Sequence, residues 1–185
     1  MKFFLSICIL SLIVISNVMA ADEVKYTMVS KSELYEVRKY SDRLVIETKT
    51  SDQSSGFRKL FKYISGDNKD KKEIKMTTPV TQTEKNGNMT MQFYMPAEFN
   101  ESNIPGPSNS EVKVLNIKGG YYAATIYSGR ASDSNYNKYK HILEDQLKKD
   151  EISIISKPIR ATYNSPFTLP MLRRNEVMFK IEKNT

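Results

Sequence analysis

The sequence holds one cysteine, one histidine and no tryptophan in 185 residues. The cysteine, Cys8, sits in an apolar run at the N-terminus, so every residue after that run lacks a thiol. This excludes disulfides, thiolate metal sites and cysteine nucleophiles together. A single imidazole, His141, leaves no histidine pair to hold a metal. On the helix its neighbours predict, His141 falls opposite the apolar face, the ordinary place of a surface histidine. No glycine-rich phosphate loop and no Gly-x-Ser-x-Gly elbow occurs, and no two carboxylates have the spacing of a helical acid/base pair. The expectation is a protein that is not an enzyme and has no metal site of its own.

Met1-Lys2, an apolar run from Phe3 to Val18, and Val18-Met19-Ala20 have the layout of a secretory signal peptide over residues 1–20. Cleavage after Ala20 would leave residues 21–185, large enough to be held by one core as a single domain. The chain is then expected to be secreted, without membrane contact after cleavage. Two sequons, Asn88-Met89-Thr90 and Asn100-Glu101-Ser102, become possible glycosylation sites on that route. The formal charge is +7, and lysine and arginine are spread along the chain rather than packed into a run. That balance suits an acidic small ligand better than nucleic acid.

Periodicity predicts strands at about Tyr35–Tyr40 and Leu44–Lys49 and a helix from about Ser54 to Ser65, ended by Gly66. Strands follow at about Ile74–Thr83 and Met89–Met95, joined through an Asn86-Gly87 turn. After a loop from Pro96 to Ser110 the order recurs. Strands Val112–Ile117 and Tyr121–Tyr127 precede a helix at Asp133–Lys149, then strands at about Ile154–Thr162 and Glu176–Ile181. Ser51-Asp52 and Ser132-Asp133 offer N-caps to the two helices. Pro79 and Pro158 fall at matching places inside each third strand, which predicts an edge or a bulge there. Each half, about 33–96 and 111–182, reads β-β-α-β-β. The predicted class is α+β, with duplicated halves forming a distorted antiparallel β-barrel and two flanking helices.

The first helix carries Phe57, Leu60, Phe61 and Ile64 at amphipathic spacing, with Arg58 and Lys62 beside the stripe and Lys59 further round. Such a stripe is ordinarily a core face bordered by solvated cations. Its functional reading is an apolar groove with a basic rim, suited to a flat apolar molecule bearing carboxylates. Near the C-terminus, Arg173, Arg174 and Glu176 stand where a proline-rich loop enters the last strand, a place for a structural ion pair.

Five segments, in order, resemble the SOUL/heme-binding protein family. They are Tyr35-Glu36-Val37-Arg38-Lys39-Tyr40; Phe57–Gly66 with Met76-Thr77-Thr78-Pro79-Val80; Phe93-Tyr94-Met95-Pro96; Tyr127-Ser128-Gly129-Arg130-Ala131; and Tyr163-Asn164-Ser165-Pro166-Phe167 running on to Arg173-Arg174-Asn175-Glu176. The resemblance implies a distorted barrel with two helices and non-enzymatic binding of heme or another tetrapyrrole along the first helix. Carried over, Phe57, Leu60 and Phe61 are wall residues and Lys62 the propionate partner; Arg58 is added from helix geometry. Two positions depart from the family pattern. Lys39 stands where one branch has a proposed histidine ligand, and Leu169 where members can carry a basic residue. The expectation is therefore a secreted, monomeric heme or porphyrin carrier or scavenger without histidine ligation. The alternative is a secreted protein-interaction module that has lost tetrapyrrole binding.

Overall fold

The structure is a computed structural model and describes residues 21–85 and 87–183. The predicted leader, residues 1–20, and Asn86 of the predicted turn lie outside the described residues. The strands are β1 (Asp22–Glu23), β2 (Thr27–Lys31), β3 (Glu36–Tyr40), β4 (Arg43–Thr50), β5 (Thr77–Thr78), β6 (Val80–Lys85), β7 (Asn88–Tyr94), β8 (Val112–Ile117), β9 (Gly120–Tyr127), β10 (Ile159–Thr162) and β11 (Asn175–Ile181). Helix α1 (Gln53–Ile64) follows β4, and α2 (Asp133–Lys149) follows β9.

Both helices start where the sequence offers a cap. Asp52 accepts the Ser55 amide at 2.6 Å, and Ser132 accepts that of Asn135 at 3.3 Å. Helix α1 stops because Gly66 takes φ +98, letting the Gly66 and Asp67 amides return to the Tyr63 and Lys62 carbonyls. Gly119 is small for a different reason: a Cβ there would lie 2.3 Å from the Tyr40 carbonyl oxygen.

Nine strands form one antiparallel sheet in the order β2-β3-β9-β11-β10-β6-β7-β4-β8. From β3 to β8 the order is symmetric about the central β10–β6 pair. There Val80 faces Thr162 and Ile159 faces Thr83. The halves exchange their first strands: β3 pairs with β9, and β8 pairs with β4. Helix α1 lies on β4 and β7, and α2 on β9 and β11.

Three apolar clusters follow from the two-residue alternation of the strands. One lies under α1, where Leu60, Tyr63 and Ile64 meet Ile46, Met91 and Phe93. The second lies under α2, where Leu143 and Leu147 meet Ala123, Val177 and Phe179. The third, with Tyr40, Tyr122, Ala124, Ala161 and Met178, lines the opposite face of the sheet. That face curls until its halves touch: the Arg43 guanidinium of β4 lies 4.3 Å from the Tyr40 ring centre and 5.1 Å from that of Tyr122.

Two expectations need revision. No pairing joins β2 to β8 among the described residues, so the sheet is curled and open, and closure into a barrel is not seen. Pro79 and Pro158 also sit just before β6 and β10 instead of inside them, and these are the central strands, not edges. A proline ahead of the first ladder residue removes no ladder hydrogen bond, so centrality is allowed.

Candidate ligand-binding site

The two faces of α1 have separate fates. Gly56, Leu60, Tyr63 and Ile64 face the sheet and are buried, and the Tyr63 hydroxyl donates to the Pro105 carbonyl at 2.6 Å. A Cβ on Gly56 would meet Thr50 Cγ2 at 2.7 Å, so the helix start rides directly on the end of β4. Phe57 and Phe61, one turn apart, remain 40% and 48% exposed. Their rings stack, 5.8 Å between centres and 14° between planes, and Phe93 of β7 supports Phe57 edge-on at 5.2 Å.

Arg58 and Lys62 are exposed on the same outer flank, and neither makes an ion pair among the described residues. Lys59 differs, since its ammonium meets Glu111 at 2.7 Å. Four of the five residues expected at the site, Phe57, Arg58, Phe61 and Lys62, therefore share one accessible flank. Leu60 does not. It is fully buried under the helix and packs the core, because at 100° per residue it points with Ile64 toward β4 and β7. Two surface hollows, one lined by Glu47, Lys49, Glu111 and Lys113, the other by Asp42, Leu44, Phe99 and Asn116, include no α1 residue.

The remaining sequence candidates lie away from α1. His141 is exposed on α2, 3.4 Å from Glu144. Lys39 is exposed on β3 with its ammonium 5.9 Å from the centre of the Tyr121 ring. It alternates with Arg38 and so shares the face of Val37, which packs in the α2 cluster. Leu169 is exposed in the β10–β11 loop. No group of three or more His, Cys, Asp or Glu able to hold a metal occurs among the described residues. An iron porphyrin asks for an apolar face, cations for its propionates and an axial ligand. The α1 flank fits the first two demands and offers no imidazole for the third.

One constellation was read only in part from the sequence, as the Arg174–Glu176 corner. Arg38 on β3 is completely buried and donates through both terminal nitrogens to Glu176 on β11, at 2.7 and 3.0 Å, and through Nε and one terminal nitrogen to Glu36. Glu176 also accepts from Arg174 and from the Tyr163 hydroxyl, while Lys31 reaches Glu36. Burial works against the Arg38 charge, but Glu176 and Glu36 outweigh it and push the guanidinium further up. Burial also opposes the charge on Glu36, and Arg38 with Lys31 still holds that carboxyl below its usual range. Burial and the charge of Glu176 push the Tyr163 phenol up. This is a buried structural network whose two carboxylates are spent on protein donors.

The sequence profile of the SOUL heme-binding proteins matches residues 21–180. The chain belongs to the SOUL family. Two relatives bear the name heme-binding protein 2. The mouse protein (Mus musculus) is 28% identical over 165 residues, and the human protein (Homo sapiens) 29% identical over 164. Each alignment covers 81% of this chain and 78% of the relative. Among solved structures, the C-terminal domain of EcmrR superposes with a TM-score of 0.60 at 14% identity, over 86% of this SOUL chain and 99% of that domain. A hydrolase from Listeria innocua gives 0.57 at 9% identity, over 83% and 94%. At such identities the two structures share the fold with this SOUL protein and nothing more is carried across.

Proposed function

We propose that this SOUL protein binds heme or a related tetrapyrrole on the outer flank of α1 and acts as a secreted, monomeric carrier or scavenger, a single domain over residues 21–185 that catalyses no reaction. The observation that carries this reading is the exposed, mutually stacked Phe57–Phe61 pair, with Arg58 and Lys62 alongside and without an ion pair among the described residues. A macrocycle laid on the two rings would remove their apolar surface from water, about 25 cal/mol for each Å². The cations would meet its propionates in charge-assisted hydrogen bonds. When bound, the iron keeps whatever redox chemistry its ligands allow. The protein's part is to shelter one face and hold the acidic edge. Without an imidazole the affinity is moderate, and metal-free porphyrin binds nearly as well.

The test is a hemin titration of the purified protein, followed by the same titration with protoporphyrin. A saturable shift of the Soret band, weakened in Lys62→Glu, is the expected result. A curve that never saturates at micromolar hemin would overturn the reading. A second reading, a secreted interaction module that has lost its tetrapyrrole, draws on Lys39 and Leu169, which stand where the family pattern allows a histidine and a basic residue. A stoichiometric protein partner drawn from extracellular fluid, together with silent titrations, would select it.

A further inference from the structure

The four most exposed large apolar side chains of the described residues stand together in the loop between β10 and β11. Phe167 is 95% exposed, and Leu169, Met171 and Leu172 are all more than half exposed. Leaving four such side chains in water is unfavourable, so a function is expected of them. They form a projecting tip, not a cup: an aromatic ring open on nearly every side has no wall against which a folded partner could seat it.

Much of the backbone of this tip is satisfied from within. Pro166 and Pro170 have no N–H to satisfy. The Thr168, Leu172 and Arg173 amides donate to the carbonyls of Ser165, Leu169 and Pro170. The Arg173 side chain turns inward and caps the Thr168 carbonyl through Nε and the Pro166 carbonyl through a terminal nitrogen. The Gly129 amide anchors the loop from the neighbouring β9–α2 turn by donating to the Pro170 carbonyl. Each backbone group paired in this way is spared the several kcal/mol that an orphaned one would cost in an apolar medium. Charge agrees. No carboxylate occurs between Tyr163 and Asn175 or between Tyr127 and Ser132, Arg130 in the anchoring turn is exposed, and the whole chain carries +7.

We propose that the Phe167–Leu172 loop is a membrane-docking spike that inserts its apolar tip into the interface of a bilayer containing anionic lipid. This departs from the expectation that the chain touches no membrane, and it stands independently of tetrapyrrole binding at α1. The chain has no tryptophan, so Phe167→Trp creates a single fluorescent reporter at the tip. With vesicles of phosphatidylcholine and phosphatidylserine its emission moves to shorter wavelength, and a quencher carried on the lipid chains dims it. The double variant Phe167→Asp with Met171→Asp pellets with the same vesicles about tenfold or more weakly, while its hemin titration stays that of the parent. Three results overturn the proposal. One is emission from Phe167→Trp that vesicles leave unchanged. Another is a shift already present in buffer that grows with protein concentration, which makes the tip a contact between two copies of this chain. The third is joint loss of hemin and vesicle binding in the double variant, which assigns the loop to the tetrapyrrole site.

Discussion

At the scale of single residues, the Arg38–Glu176 pair governs more stability than any surface charge. Both side chains are fully buried and bidentate, and Glu36, Arg174 and Tyr163 complete the cluster around them. Removing one member of such a pair leaves an under-compensated buried charge, so Arg38→Ala is expected to cost about 3–5 kcal/mol. Arg174→Ala removes a partner of the same carboxylate, but its side chain is 31% exposed and water screens the loss, so about 1 kcal/mol is expected. Urea unfolding of the two variants checks this, and equal midpoints would contradict it. The sequence placed Arg173, Arg174 and Glu176 at a structural corner, which is right for Arg174 and Glu176. It could not show Arg38, which is 138 residues from Glu176 and reaches it only because β3 and β11 both flank β9. Nor could it show that Arg173 turns back to cap its own loop.

At the scale of elements, α1 separates stability from binding. Its period, its Asp52 cap and its Gly66 stop were all legible, because each is a local rule. Which apolar residues end inside was not. The stripe is wider than the contact with β4 and β7, so Leu60 and Ile64 are covered and Phe57 and Phe61 are left at its margin. Leu60→Ala is therefore expected to cost about 2–5 kcal/mol through its cavity while the folded fraction keeps the parental hemin curve. Phe61→Ala should do the reverse, losing under about 1.5 kcal/mol of stability because half of the ring is already in water, yet flattening the Soret response. Thermal unfolding and titration on the same two variants test both halves of the claim. If Leu60→Ala also abolished hemin binding in its folded state, the site would lie beneath the helix and not on its flank.

At the scale of the whole molecule, strand content was legible and strand order was not. Alternation marks a strand without naming its partner, so the exchange of β3 and β8 between the halves, and the central place of β6 and β10, appear only in three dimensions. β2 escaped notice because all five of its residues are exposed and no alternation marks it. Tyrosines add to the β3–β9 and β4–β8 ladders that tie the exchanged halves together. The Tyr35 hydroxyl, just before β3, donates to Asp150 at the end of α2, and Tyr40 lies against Tyr26, Tyr122 and Arg43. Burial pushes the phenols of Tyr35, Tyr40, Tyr63 and Tyr136 up to about 12 each, with Asp150 adding to the effect at Tyr35. An unfolded tyrosine ionises near 10, so each of these groups releases its proton later in the folded state. Their contribution is complete below about pH 10 and is lost as pH rises through about 12, because the unfolded chain then gains more from ionising. An alkaline titration followed by phenolate absorbance should show these four phenolates appearing only above pH 10, as near-ultraviolet circular dichroism collapses. In concentrated urea all eleven tyrosines should ionise together near 10. A single phase at that pH with the dichroism intact would mean that these tyrosine contacts are open to water.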